Sequence, residues 1–239
     1  TSYLHGVWGS SSSDVFAVGY GGTILHYNGS AWSTMTSGTT TYLYSVWGNS
    51  SSNVFTIGGD GTILYWNGST WSATASGTTK SLYGVWGSAS ADVFAVGYLG
   101  IILHFDGSTW SAVGGATYND LAGVWGSASD NVIAIGDSGA IIHYNGAAWS
   151  AMTSGTTKNL HGVWGRTSDN VFAVGDNATI LHFDGSAWST VTCNTTNNLN
   201  GIWGSPSDNV FAVGDSGTLL HSENHTSRRA TSGTHENLH

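Results

Sequence analysis

The chain has 239 residues, only 8% of them charged, with 35 Gly, 12 Trp, one Pro, one Cys and a formal net charge of -9. Its five bases (Lys80, Lys158, Arg166, Arg228, Arg229) form no basic stripe that could track phosphates, so no nucleic acid partner is expected. The lone Cys193 excludes an internal disulfide and a Cys-based zinc cluster. Apolar runs of about five residues are too short to cross a bilayer as a helix or as barrel strands of ~9–11 residues, so no membrane insertion is expected.

Taken in chain order, the first unit contains four short apolar segments, LHGVW from Leu4, DVFAVG from Asp14, TILHY from Thr23 and AWSTM from Ala31. Gly is dense around them, β-branched and aromatic residues dominate, and no 3.6-residue apolar period is present, so all four read as strands. VFAV is apolar without a break, which marks a strand buried on both faces. Asn28-Gly29, with Asn67-Gly68, Asp106-Gly107, Asn145-Gly146 and Asp184-Gly185 in later units, supplies residues that accept positive φ and predicts a two-residue hairpin turn between the third and fourth strands.

The same pattern then repeats. Trp8, Trp47, Trp86, Trp125, Trp164 and Trp203 each sit in a (V/I)WG triplet and are spaced by 39 residues, giving six units that start near Leu4, Leu43, Leu82, Leu121, Leu160 and Leu199. An all-β period near 40 residues predicts a six-bladed β-propeller with four antiparallel strands per blade, formed by residues 1–239 as one domain. A lone four-stranded sheet cannot cover its own faces, so each blade is completed by its neighbour, and every unit must fit the same surface. Leu238-His239 aligns with Leu4-His5, where a seventh first strand would begin; the alternative to six blades is a fragment of a longer array. In the sixth unit Ser227 replaces the expected Trp, which predicts a frayed outer strand.

In a propeller the second-to-third and fourth-to-first connections open on one face, and the copies differ most there. After the first-strand Leu stand His5, Tyr44, Tyr83, Ala122, His161 and Asn200; after the second-strand Gly stand Tyr20, Gly59, Tyr98, Asp137, Asp176 and Asp215. A ligand face with an aromatic half and an acidic half follows, against the reading that loop positions drift and Asp caps nearby amides. Trp32, Trp71, Trp110, Trp149 and Trp188 in the fourth strands have two readings, sugar platforms or packing between blades, and their regularity favours packing. His26, His104, His143, His182 and His221, with Tyr65 in the second unit, lie about a blade apart, too far to share a metal at about 2 Å; each is expected to hydrogen-bond within its own blade. GDSG at 136–139 and 214–217 occupies a slot that reads GYGG, GGDG, GYLG and GDNA elsewhere, so repeat position explains it better than a nucleophile does. No enzyme, cofactor or metal is expected.

The pattern VFAVG, GTILH and NGSxWS at residues 15–33 resembles bacterial tandem-repeat β-propellers, and more loosely the fucose-binding propeller lectins and the tachylectin type. That resemblance implies sugar binding in pockets between adjacent blades. The unit here is shorter, and TMTSGTT replaces the Trp-x-x-Leu-Gly-Gly ending of those lectins. The expected function is a non-enzymatic binding module, extracellular or cell-surface, whose partners are glycans. The alternative is a scaffold gripping a surface protein through the variable face.

Overall fold

The computed structural model describes residues 3–205, 209–223 and 226–229; Leu238-His239 lies outside them. Six four-stranded antiparallel sheets, each with its strands in chain order, are the blades of a six-bladed β-propeller. Their first strands are Leu4–Ser11, Leu43–Ser50, Leu82–Ala89, Leu121–Ala128, Leu160–Thr167 and Leu199–Gly204. Two compact units divide the chain. One, Thr1–Ala134 with Ile142–Ala151, holds blades one to three and most of blade four; the other, Ile135–Ile141 with Met152–His239, holds blades five and six and the inner turn of blade four.

Register explains why the repeat is so faithful. In blade one Trp8 pairs with Phe16, Phe16 with His26 and His26 with Ser33, so these side chains share one face. Val7, Ala17 and Leu25 pair across the other face. Within a compact unit the first face of a blade packs on the second face of the next: Phe16, Val18 and Ile24 against Leu43, Val46, Val54 and Leu64. Phe55, Ile57 and Ile63 meet Leu82, Val85, Val93 and Leu103 in the same way. In blades two to four the second strands are therefore buried on both sides, as their unbroken apolar runs predict. Each fully buried side chain of this size contributes about 1.5–3 kcal/mol, so the joints carry most of the stabilisation.

The WG dipeptide belongs to the same joint. A Cβ on Gly48 would stand 2.8 Å from the Trp8 indole, and one on Gly87 would stand 2.6 Å from that of Trp47. Only glycine lets the preceding blade's indole lie flat on the strand.

Two local expectations are corrected. The Asn-Gly and Asp-Gly turns are four-residue loops, in which Asn28 N–H donates to Ala31 O at 3.3 Å and Gly29 alone takes positive φ, 90°. The Asx side chain accounts for the difference, because Asn28 Oδ1 accepts from the amides of Ser30 and Ala31, both at 3.0 Å. Asp106 and Asp184 make the same pair of contacts, and their backbone hydrogen bonds hold both carboxyls below the ordinary aspartate range. In blade six, Thr226–Arg229 pairs antiparallel with Thr218–Glu223, so the outer strand forms where fraying is predicted.

Candidate functional face

The first strand of a blade carries a bulge at its start. In blade one the ladder slips between Leu4 and Gly6, and the same slip recurs at Leu43/Ser45, Leu160/Gly162 and Leu199/Gly201. The residue left out of the ladder is the variable one: His5, Tyr44, His161 or Asn200. A bulge re-aims a side chain away from the pleat, which releases this position from the packing that keeps its neighbours constant.

In the first compact unit these residues form an aromatic series. The His5 and Tyr44 rings meet edge-on at 5.8 Å, and Tyr44 and Tyr83 at 5.5 Å. Tyr42 joins them, 6.5 Å from Tyr44 and 4.3 Å from Tyr20. Tyr20, Tyr42, Tyr98 and Leu99 are exposed, while Tyr44 and Tyr83 are half-buried. Hydrogen bonding to Tyr20 holds the Tyr42 phenol above its ordinary value; burial, with the Asp120 charge nearby, does the same for Tyr83. Both therefore stay neutral hydroxyls near neutral pH.

The loops beside the series are held by side chains from the following connection. Asp120 Oδ1 accepts from Leu99 N–H at 2.8 Å, which fixes Leu99 at φ 52°, a left-handed conformation uncommon for a branched residue. Tyr42 occupies the Asp120 position one blade pair earlier in the repeat, so its ring replaces an amide clasp. Sequence reading missed Tyr42 and Leu99, although variation at the residue before the first-strand Leu (Tyr42, Ser81, Asp120, Asn159, Asn198) was the available signal.

The second compact unit carries the acidic residues, and they are engaged. Asp176 pairs with His161 at 2.8 Å, and Asp215 accepts from Asn200 at 2.8 Å and Asn198 at 3.1 Å. Asp137 opens the inner turn of blade four, and its carbonyl accepts from Ala140 N–H at 3.0 Å. Ser138 and Ser216 of the two GDSG stretches are the positive-φ residues of such turns.

The fourth-strand tryptophans are spent on packing. Trp110, Trp149 and Trp188 are buried and Trp71 is half-buried. Trp71, Trp110 and Trp149 stand edge-on to Phe16, Phe55 and Phe94 of the preceding blade at 5.6–5.9 Å. Trp32 alone of the five is exposed. The third-strand histidines bond within their blades, as expected, though the partner is the Asp or Asn that opens the second strand. His26–Asp14 and His104–Asp92 are 2.7 Å, His143–Asn131 is 3.1 Å, and His182–Asn170 and His221–Asn209 are 3.0 Å. Tyr65 takes the equivalent bond from Asn53 at 3.4 Å.

No protein-family profile matches the chain, and no curated protein matches it. Solved structures do. YCF48 bound to a D1 peptide is 17% identical with a TM-score of 0.74, the match covering 92% of this chain and 77% of that one. YCF48 from Cyanidioschyzon merolae is 14% identical, TM-score 0.75, over 96% and 85% of the two chains. The WD40 repeats of RRP9 are 7% identical, TM-score 0.77, over 92% and 76%. At such identities the likeness is one of fold: this chain shares the β-propeller of these proteins, and the lectin resemblance finds no counterpart among them.

Proposed function

We propose that this propeller is a non-enzymatic scaffold that grips a protein or peptide partner through the aromatic face of its first compact unit. One observation carries the reading: His5, Tyr44, Tyr83, Tyr42 and Tyr20 make a chain of ring contacts on residues freed from the blade ladder. Tyrosines present large, rigid, amphipathic area at little entropic cost, which suits recognition of another polypeptide. That a propeller of similar fold, YCF48, is found bound to a peptide supports the choice without identifying the partner. The glycan reading has less behind it, since packing has taken up most of the outer tryptophan faces and Trp32 alone remains open. The low-charge, Ser- and Thr-rich surface favours an extracellular or cell-surface setting.

Selection from a displayed random-peptide library tests the proposal. Wild-type protein is expected to enrich a peptide family that a folded Tyr42→Ala/Tyr44→Ala/Tyr83→Ala variant does not retain. Equal enrichment on both, or binding only on a glycan array and lost with Trp32→Ala, would overturn it.

A further inference from the structure

The joint between blades two and three, inside the first compact unit, lacks an apolar plug. Met35, Val113 and Val191 stand at the end of the fourth strand in blades one, three and five, and each packs into the core that its blade shares with the next. Thr74 holds that place in blade two. The backbone is unchanged, since Thr74 N–H donates to Ile63 O at 3.0 Å as Val113 N–H does to Ile102 O. With the larger side chain gone, Thr74, Phe55 and Tyr65 of blade two and Phe105 and Trp110 of blade three line a cavity of about 560 Å³. Beside Val191, the joint of blades five and six keeps only about 40 Å³.

A second departure leaves polar atoms of the same joint without partners. In the other blades the third-strand histidine bonds Oδ1 of the Asp or Asn that opens the second strand. Blade two has Tyr65 there, and its hydroxyl accepts from Asn53 Nδ2 instead, so Asn53 Oδ1 is buried and unpartnered. Thr74 Oγ1 and Trp110 Nε1 are in the same state. An unpartnered indole N–H recurs at Trp71, Trp149 and Trp188, whereas among the described residues the Asn and Thr oxygens are particular to this joint. Asn53, Thr74 and Trp110 all line the cavity. So does Ala91, where other units carry Ser13, Ser52, Asp130 and Asp169, and among the described residues no charged side chain does.

We propose that this cavity binds a small, neutral, planar aromatic molecule bearing a carboxamide. Its volume falls in the range of about 300–1,000 Å³ that small-molecule sites occupy, and its apolar walls with a few polar atoms have their make-up. Phe55 meets Tyr65, Phe105 and Trp110 at ring distances of 4.9–5.6 Å, a cluster that accepts a further ring in the same tilted or edge-on manner. An ion would be buried there with no counter-charge, so the ligand is neutral. A carboxamide supplies the N–H that Asn53 Oδ1 lacks and the C=O that the Trp110 indole and the Thr74 hydroxyl lack. No residue of the cavity belongs to the aromatic face, so this site stands or falls apart from the scaffold reading.

Benzamide is the probe, and the indole N–H resonance of Trp110, assigned by its loss in Trp110→Phe, is the readout. The wild type is expected to show a saturable shift at millimolar benzamide, the affinity of a fragment-sized ligand. Thr74→Met, which restores the plug of the repeat, is expected to weaken binding at least about tenfold while raising the denaturation midpoint, as a filled cavity does. Thr74→Val serves if the methionine overpacks the joint. Tyr65→His, which returns a ring nitrogen to Asn53 Oδ1, is expected to weaken binding severalfold, and toluene, which has no amide, to bind less well than benzamide. The proposal is overturned if no saturable shift appears by about 10 mM benzamide, or if the Thr74 variants or Tyr65→His bind as the wild type does. Toluene or a methyl glycoside binding as well as benzamide overturns it too.

Discussion

Gly48 and Gly87 are held by the indoles that lie on them, which is a constraint between units that no single unit explains. Gly87→Ala is expected to destabilise the protein by about 1–3 kcal/mol, the usual cost of overpacking, measured by chemical denaturation. A change under about 0.5 kcal/mol would mean that the Trp47 ring can move aside. His143 gives a second residue-level test. Burial pushes its imidazole below the ordinary value, and its partner Asn131 brings no charge to offset this. Above the ordinary imidazole pKa both folded and unfolded states are neutral and nothing is lost. As pH falls through that value the unfolded chain takes the proton first, so stability declines. Asn131→Asp, which copies the carboxylate that Asp14 and Asp92 offer His26 and His104, is expected to move the His143 titration upward by NMR. An unmoved midpoint would show that the carboxylate does not reach the ring. Tyr42 marks what sequence could not supply at this scale: its role depends on a ring contact with Tyr20, a residue 22 positions earlier in the chain and brought close by the fold.

At the level of the strand and blade, the copied first-strand leucine is a joint residue: Leu43, Leu82 and Leu121 are fully buried. Leu82→Ala is expected to cost about 2–5 kcal/mol, by denaturant titration against wild type. A cost under about 1 kcal/mol would mean that the joint does not close over this position. The blades themselves were legible because the punctuation by Gly, Asn and Asp is strict and the apolar runs of VFAV type have no other use. Turn geometry was not, since Asn28 and Asp106 act through a side-chain acceptor, which the positive-φ tendency of an Asn-Gly or Asp-Gly pair does not reveal. Nor was the bulge after Leu4, a register slip that leaves no mark in composition but decides which residue leaves the packing.

For the whole molecule, the count of six four-stranded sheets follows directly from the 39-residue spacing. The site followed less directly. His5, Tyr44, Tyr83 and Tyr20 do converge, but Asp176 and Asp215 are tied to His161 and Asn200, and the outer tryptophans serve the joints. A repeat shows where copies differ; it does not show whether the difference is turned toward a partner or toward a neighbouring side chain. The proposed function requires the first of these for Tyr44. Calorimetric titration of a library-selected peptide into wild type and Tyr44→Ala measures it most directly. With melting temperatures matched, affinity should fall by about 2 kcal/mol, roughly thirtyfold, as for an aromatic anchor at an interface centre; equal affinities would contradict it.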